Sequence, residues 1–248
     1  MSSRPKFFVA REQINNNKVT LTGLDVSHIR TVLRLKAGDS IQVISDSDKW
    51  LTVRLVEVKT KEVKGEVVAS VTINVESPLA VHLGQALTKG NKFDVILRKS
   101  VELGVRSITP LMTERCVVKT HRTEVGKKIE RWKKIVLESS KQCGRSKIPL
   151  VAEDVETLET FCRKNDHQDL KLIFWELEEK KTLKDIKLDM QPRSVAVLIG
   201  PEGGFSQAEI ENVREYGFQT VGLGPRILRA ETAPVVALAL LQSRWGDL

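Results

Sequence analysis

Residues 195–242, VAVLIGPEGGFSQAEIENVREYGFQTVGLGPRILRAETAPVVALALLQ, decide the fold that we predict for this chain. They open with an apolar run from Val195 to Ile199, whose length and composition are typical of a buried strand. Gly200 to Gly204 can only form a tight loop. Ser206 and Glu209, three residues apart, then have the pattern of a capping box at the start of a helix. The segment therefore begins as strand, loop and helix.

The second half of the segment repeats this order. Gly217 ends the first helix, and a second strand follows from Phe218 to Leu223. Gly224 to Ala230 forms another tight loop before a closing helix that Thr232 can cap. Each loop by itself could be an ordinary turn. Because both loops follow strands, and ligands of open α/β sheets bind at the carboxyl ends of strands, we predict a ligand site at the two loops.

The loops lack the two common nucleotide-binding signatures. Neither GxxxxGK[ST] nor GxGxxG occurs in the chain, so no P-loop and no dinucleotide fingerprint is present. A nucleotide-binding enzyme of the ordinary doubly wound type is therefore disfavoured.

The two loop motifs, GPEGGFSQAEI at 200–210 and LGPRILRAETA at 223–233, together resemble the SPOUT superfamily of methyltransferases. More narrowly, they resemble the ribosomal RNA small subunit methyltransferase E family. The resemblance implies an α/β protein with a SPOUT trefoil-knot methyltransferase domain and a small amino-terminal PUA-like β-barrel. It also implies S-adenosylmethionine as the cofactor and N3 of a uridine in 16S rRNA as the acceptor. The residues expected to bind the cofactor are those of the two loops and the strand ends before them: Leu198, Ile199, Gly200, Glu202, Gly203, Leu223, Gly224, Ile227, Leu228, Arg229, Thr232 and Ala233.

The length of 248 residues suits two domains, and we place their boundary between residues 73 and 74. Residues 1–73 contain many short strand candidates, which predicts a small barrel, and one helix from Asp25 to Leu35. HIRTVLRLKAGDSIQV resembles the PUA-like RNA-binding domain of the same family. Residues 74–248 alternate strands and helices, which predicts a mostly parallel sheet. The expected elements there are strands at 81–87, 105–111, 170–175 and 194–199 and helices at 90–104 and 122–143.

The formal net charge of +8 points to an anionic partner, and the expected partner is 16S rRNA in the small ribosomal subunit. Residues 119–147 carry ten Lys or Arg residues against three Glu, nearly the whole excess, although such a segment could also be a solvated face. SSKQCGRSKIP resembles the Gln-x-x-Arg segment of the family, with Lys141 where an acidic residue commonly precedes the Gln. The residues predicted to bind RNA are Arg4, Arg11, Arg30, Arg34, Lys127, Lys128, Gln142 and Arg145.

The implied reaction needs a cation beside the acceptor base. The N3–H of uracil is a weak acid, so methylation requires deprotonation or a stabilised anion, which a fixed guanidinium can supply. Arg229 in the second loop is the foremost catalytic candidate, with Arg115 and Arg145 behind it. Glu202 or Glu231 could accept the proton if burial raised its pKa, although Glu202 could equally interact with the positive N-terminal end of a helix. We expect no covalent nucleophile and no catalytic metal.

Three further expectations concern the whole chain. The cysteines, Cys116, Cys143 and Cys162, form no CxxC motif and are expected as free thiols of a cytoplasmic protein. The longest apolar run, Ala233 to Leu241, is about half a membrane span, and no membrane segment is expected. The closing helix is apolar nearly all round and therefore needs burial on several sides. Knot methyltransferases bury this helix in a homodimer, so the resemblance implies a twofold-symmetric dimer, although the helix could instead lie at the centre of one subunit. The alternative to an enzyme is a non-catalytic RNA-binding protein of ribosome assembly.

Overall fold

The computed structural model describes residues 4–45, 49–72, 75–118 and 122–248, without the side chains of residues 122 and 123. The chain divides into two compact units. One contains Met1–Glu76 and Ser140–Lys147, and the other contains Ser77–Ser139 and Ile148–Leu248. The basic residue Lys119 and the two residues at the predicted boundary, 73 and 74, lie outside the described residues. The boundary stays a prediction, and the structure groups residues 140–147 with the first unit.

The first unit is built on one six-stranded sheet. Its strands are β1 Lys6–Phe8, β2 Ile14–Asn15, β3 Lys18–Thr22, β4 Ser40–Ile44, β5 Lys49–Val58 and β6 Glu62–Thr72. They follow the order β1-β4-β5-β6-β3-β2, and only the β1–β4 pair is parallel. Alternate residues of the strands, such as Val19 and Leu21 or Ile41 and Val43, point into the core. This confirms the strand-rich amino-terminal part.

The single helix predicted from Asp25 to Leu35 is wrong in its second half. The structure has a short helix α1, Leu24–Ser27, followed by a π-helical turn, His28–Val32. The wider turn shifts the inward positions by one residue, because Leu33 N donates to His28 O at 2.9 Å. As a result, of the two apolar neighbours Val32 and Leu33, Leu33 packs on the core and Val32 is 66% exposed. Arg34 ends the turn with a φ of 54°.

A buried ion pair ties residues 140–147 to the rest of the first unit. Arg145 Nη2 donates to Glu76 Oε2 at 2.6 Å, and the backbone N–H groups of Ser146 and Lys147 donate to Glu76 Oε1 at 2.9 and 3.0 Å. Burial opposes ionisation of Glu76, but hydrogen bonds from Arg145 and from the two amides outweigh it and lower its pKa. Arg145 is 5% exposed. Its guanidinium therefore has a structural role, and the predicted contacts of Arg145 with RNA or uracil are not supported.

The second unit is built on a seven-stranded sheet in which every pair is parallel. The strands are β7 Ala80–Ala86, β8 Ser107–Met112, β9 Leu150–Val151, β10 Glu156–Thr157, β11 Leu170–Phe174, β12 Ser194–Ile199 and β13 Gln219–Val221. Their order is β10-β8-β7-β12-β11-β13, with β9 beside β8. The helices are α2 Lys92–Glu102, α3 Arg122–Cys143, α4 Leu158–Lys164, α5 Gln207–Glu215 and α6 Ala233–Trp245. The residues of α3 from Ser140 onward belong to the first unit. The predicted α/β alternation is confirmed, and α4, β9 and β10 are additional elements.

Both faces of this sheet are covered by helices, so its strands are apolar on both sides. One core contains residues of α2, α3 and α6, such as Ile96, Trp132 and Leu238. The other contains residues of α4 and α5, such as Phe161 and Ile210. Among the described residues, no helix is both long enough and apolar enough to cross a membrane.

The register of three neighbouring strands sets the position of the predicted site. Phe174, the last residue of β11, pairs with Ile199 of β12 on one side and with Val221 of β13 on the other. Because these strands are parallel, all three end at the same edge of the sheet and at the same height. The two glycine loops, which follow β12 and β13, therefore start at the same edge of the sheet. The loop that follows β11 lies between them.

Candidate active site

The first glycine loop leads directly into a capped helix. Gly204 N donates to Pro201 O at 3.0 Å, and Gly204 has a φ of 66°, a conformation that favours glycine. The predicted capping box is confirmed, because Glu209 N donates to Ser206 Oγ at 3.2 Å and Ser206 N donates to Glu209 Oε2 at 2.9 Å. The loop is thus fixed at its carboxyl-terminal end by helix α5.

Arg115 holds the other side of the first loop. Its Nη1 donates to Gly203 O at 3.0 Å. A Cβ atom added at Gly203 would lie 3.1 Å from Arg115 Cβ, so the loop backbone packs closely on this residue. Arg115 was predicted as a catalytic residue. The observed contact gives it a positioning role toward the loop.

The second glycine loop is more open. Gly224 has a φ of 102°, and nothing lies within 4 Å of the place where its Cβ would be. Ile227 is 82% exposed, and Leu223 and Leu228 are half-buried. The structure describes no hydrogen bond donated by the backbone N–H groups of residues 223, 224 and 226–228. These backbone groups are open to a ligand.

The predicted capping role of Thr232 is wrong. Thr232 occupies the N-cap position of α6, but its backbone is helical and its side chain makes no capping hydrogen bond. The turn is closed by backbone atoms instead, because Thr232 N and Ala233 N donate to Arg229 O at 2.8 and 3.0 Å. Thr232 therefore leaves its exposed hydroxyl available at the edge of the loop.

Lys92, near the start of α2, connects the two loops. Its Nζ donates to Glu202 Oε1 of the first loop at 3.0 Å. The same Nζ lies 3.4 Å from Glu231 Oε2 of the second loop, an ion pair without hydrogen-bond geometry, which leaves that buried oxygen without a hydrogen bond. Lys89 N also donates to Glu202 Oε1, at 3.1 Å. One ammonium group thus links the two acidic residues of the predicted site.

These contacts decide which predicted groups can do chemistry. Burial opposes ionisation of Glu202, but hydrogen bonds from its own backbone N–H, from Lys92 and from Lys89 outweigh it and lower its pKa. An acid with a lowered pKa is a poor proton acceptor near neutral pH, so the structure argues against Glu202 as the base. The exposed guanidinium of Arg229 pairs with neither Glu202 nor Glu231, and no other described residue bonds to it.

The remaining predicted cofactor residues lie at the same edge. Leu198 and Ile199 point into the two cores on opposite faces of the sheet, so only their backbone atoms can face a ligand. Gln85, at the end of the adjacent strand β7, was not predicted. Its Nε2 lies 3.5 Å from Gly200 O, and its buried Oε1 has no hydrogen-bond partner. A cavity of about 280 Å³ between residues 186–191 and the end of α6 lies away from both loops.

The predicted RNA-binding residues fall into two groups. Lys127, Gln142 and the four amino-terminal arginines Arg4, Arg11, Arg30 and Arg34 are exposed, and Lys128 is partly exposed. Other cations of the basic segment are held by acidic residues of their own unit. Arg131 pairs with Asp94, Lys133 Nζ lies 2.7 Å from Glu153 Oε2, and Lys141 Nζ lies 3.5 Å from Asp25 Oδ1.

The comparisons with known proteins agree with this architecture. Residues 75–242 match the family model of an RNA methyltransferase domain, and residues 21–68 match that of an RNA methyltransferase PUA domain. The fold and its loop site thus define an RNA methyltransferase. Curated relatives include the ribosomal RNA small subunit methyltransferase E of Buchnera aphidicola from Acyrthosiphon pisum, 33% identical over 98% of this chain and 94% of its own. The Bacillus subtilis relative of the same name is 34% identical over 90% of this chain and 88% of its own. The chain belongs to the ribosomal RNA small subunit methyltransferase E family.

Two solved structures resemble this chain in both sequence and fold. A Legionella pneumophila methyltransferase, solved with the bound cofactor S-adenosylmethionine, has a TM-score of 0.90 and 38% identity, covering 99% of both chains. The ribosomal RNA small subunit methyltransferase E of Neisseria gonorrhoeae, bound to S-adenosylmethionine, has a TM-score of 0.84 and 33% identity, also covering 99% of both.

Replacing Lys92 by Met should loosen both glycine loops, because Glu202 and Glu231 would lose their shared partner. We expect faster amide hydrogen exchange in residues 200–204 and 229–233, with little change in global stability because the side chain is partly exposed. Lys99→Met is the matched control, since it removes an exposed pair with Glu102 from the same helix. Unchanged exchange in both loops of Lys92→Met would show that the bridge does not order them.

Proposed function

We propose that the protein transfers a methyl group from S-adenosylmethionine to N3 of a uridine in 16S rRNA of the small ribosomal subunit. The relatives solved with bound S-adenosylmethionine support this cofactor, and membership of the family supports ribosomal RNA as the class of substrate. The observation that carries the reaction is the exposed guanidinium of Arg229 in the second glycine loop, which bonds to none of the residues that the structure describes. N3 as the acceptor follows from the resemblance described above.

The two loops fit the cofactor. The open backbone N–H groups of residues 223, 224 and 226–228 and the empty space beside Gly224 give an adenine ring both hydrogen-bond donors and room. When bound, S-adenosylmethionine supplies an electrophilic methyl group on a sulfonium. Ile199, Gly200, Gly203, Leu223, Gly224, Leu228 and Thr232 line the site in this proposal, mainly through backbone atoms.

Arg229 acts on the acceptor base. A uracil that has lost its N3 proton carries negative charge on O2 and O4, and a guanidinium can hold such oxygens and stabilise the charge. Glu202, with its lowered pKa and its pairing to Lys92, serves loop structure rather than proton transfer. Stabilising the anion lowers the cost of deprotonation, so the proton can pass to solvent without a dedicated carboxylate.

The carboxyl-terminal part forms a trefoil knot in this proposal. The segment after β11 runs beside the chain that follows β13, since Thr182 and Gly222 form a parallel bridge and Gly222 N donates to Lys181 O at 2.8 Å. Arg244 of α6 reaches the same segment, donating to Ile186 O at 2.8 Å and also to Leu183 O. The contacts of Arg244 support the proposal that α6 is threaded through the loop formed by residues 175–193.

RNA is bound by exposed cations of both units. In the first unit Arg4, Arg11, Arg30 and Arg34 are exposed, and Gln142 joins them. In the second unit Lys127 and Lys128 are available, and no described acidic residue pairs with either. The first unit therefore serves as the PUA-like RNA-binding domain, in a protein that works in the cytoplasm.

The protein forms a homodimer through α6 in this proposal. One face of the helix packs on the hydrophobic core of its own unit through Ala237, Leu238 and Leu241. The other face remains partly open, with Val235, Val236 and Ala239 half-buried and Leu240 45% exposed. A second copy related by twofold symmetry would cover this apolar face.

Arg229→Ala should slow methyl transfer about 10²–10³-fold at saturating cofactor, because it removes one charge-stabilising donor. Cofactor affinity should stay close to that of the wild type, and Arg229→Lys should restore the rate only in part. Arg226→Ala, in the same exposed loop, is the matched control. Single-turnover rates on unmodified small subunits, measured beside the dissociation constant, test this. A normal rate in Arg229→Ala would exclude the catalytic role.

Reversing Lys127 and Lys128 to Glu should weaken RNA binding and leave cofactor binding unchanged. The slope of log affinity against log salt should fall by about two, one for each lost phosphate contact. Reversal of Lys184 and Lys187, two other exposed lysines of the second unit, changes the net charge equally and serves as the control. Equal loss in both variants would indicate a general charge effect instead of a binding surface.

Leu240→Arg should convert the dimer to a monomer, because a charge would be buried in an apolar interface. Sedimentation velocity over a range of concentrations measures this directly. Leu150→Arg introduces the same charge at a side chain that is 68% exposed outside α6, and should leave the dimer intact. A wild-type protein that sediments as a monomer at all concentrations would rule out the dimer.

A further inference from the structure

The loop after β11 lies between the two glycine loops, although it contains no glycine. Phe174 is level with Ile199 and Val221, so Trp175 and Glu176 begin their loop at the height at which the glycine loops begin. Trp175 N donates to Val221 O at 3.1 Å and so continues the pairing with β13. The residue that follows, Glu176, stands at the centre of the ligand-binding edge.

The three acidic residues of this loop, Glu176, Glu178 and Glu179, have different surroundings. Glu178 fastens the loop to β13, since its Oε2 accepts from Thr220 Oγ1 at 2.8 Å and its Oε1 accepts from Lys180 N and Lys181 N at 3.1 and 3.2 Å. Glu179 is exposed. Neither Glu176 nor Glu179 has an ion pair or side-chain hydrogen bond to any described residue.

The carboxylate of Glu176 lies against the first glycine loop. A side-chain carbon added at Gly204 would fall on this carboxylate, so the two groups are in close contact. Gly204 is buried and has a φ of 66°. The loop backbone thus leaves room for an acidic group that the protein itself does not neutralise. An unpaired carboxylate at a ligand-binding edge is poised to accept hydrogen bonds from a ligand.

We propose that Glu176 accepts hydrogen bonds from the ribose 2′- and 3′-hydroxyl groups of the cofactor, an inference that rests on the proposed function. In other α/β nucleotide sites an acidic residue at the carboxyl edge of the sheet binds ribose hydroxyls in this way. The sulfonium is the less suitable partner. It loses its charge during transfer, and a carboxylate beside it would stabilise the reactant more than the transition state. Glu176 is thus a binding residue that positions the nucleoside.

The test compares Glu176→Gln with Glu179→Gln, which removes the same charge from an exposed site in the same loop. Calorimetry with S-adenosylmethionine and with S-adenosylhomocysteine gives the dissociation constants. Glu176→Gln should weaken both ligands by about tenfold, as expected for a hydrogen bond to a charged group. Glu179→Gln should stay within about twofold of the wild type. Circular dichroism and the melting temperature of the ligand-free variants establish that both are folded.

An analogue of S-adenosylhomocysteine that lacks the 2′- and 3′-hydroxyls identifies the contacted group. It should bind wild type and Glu176→Gln equally, because the interaction is already absent. If Glu176→Gln weakens binding of this analogue as much as binding of S-adenosylhomocysteine, the ribose assignment is overturned. It is also overturned if Glu176→Gln weakens binding of S-adenosylmethionine only, and the sulfonium is then the contacted group.

Two further results separate this inference from the proposed function. Because Glu176 contacts the bound cofactor in this inference, Glu176→Gln should raise the cofactor concentration that gives half-maximal single-turnover transfer by about tenfold, the same factor as the dissociation constant. A slow rate with normal affinity would make Glu176 a proton acceptor and overturn the inference, although the methyltransferase function would stand. Wild-type protein that binds neither ligand would overturn both. Normal affinity of Glu176→Gln for both ligands would overturn the inference alone.

Discussion

The common register of β11, β12 and β13 is the constraint on which the site depends. Three parallel strands that end at one height bring together loops that are far apart in sequence, following Phe174, Ile199 and Val221. A shift of one residue in any of these pairings would exchange the two faces of that strand, which are both buried. The buried side chains on both faces of β12 make such a shift costly. The packing of the core therefore fixes the geometry of the edge.

Features that depend on neighbouring residues could be predicted from the sequence. The capping box at Ser206, the strand at 194–199 and the helix at 122–143 follow from local pattern and were found at those places. The positions of Lys92 and Glu176 could not be predicted, because both depend on which strands become neighbours. The π-helical turn at 28–32 was also missed, since the apolar spacing of an α-helix and of this turn differ by one residue only.

The basic segment shows how far charge alone can mislead. Its formal excess nearly equals that of the whole chain, yet Arg131, Lys133, Lys141 and Arg145 each pair with an acidic residue from elsewhere in the chain. Those acidic residues are distant in sequence, so counting within the segment cannot include them. Lys141, which stands where the family commonly has an acidic residue, pairs with Asp25, and its Nζ lies 5.5 Å from the centre of the Phe7 ring. These contacts give the lysine a structural role within the first unit.

Lys92 contacts an acidic residue in each glycine loop and has a thermodynamic consequence for ligand binding. Two loops that are linked in the ligand-free protein have already lost much of their conformational entropy during folding. Binding then has little left to order, so less of the interaction free energy is consumed in arranging the site. The affinity of this edge for its ligand therefore depends in part on Lys92 of α2, a residue that lies outside both loops.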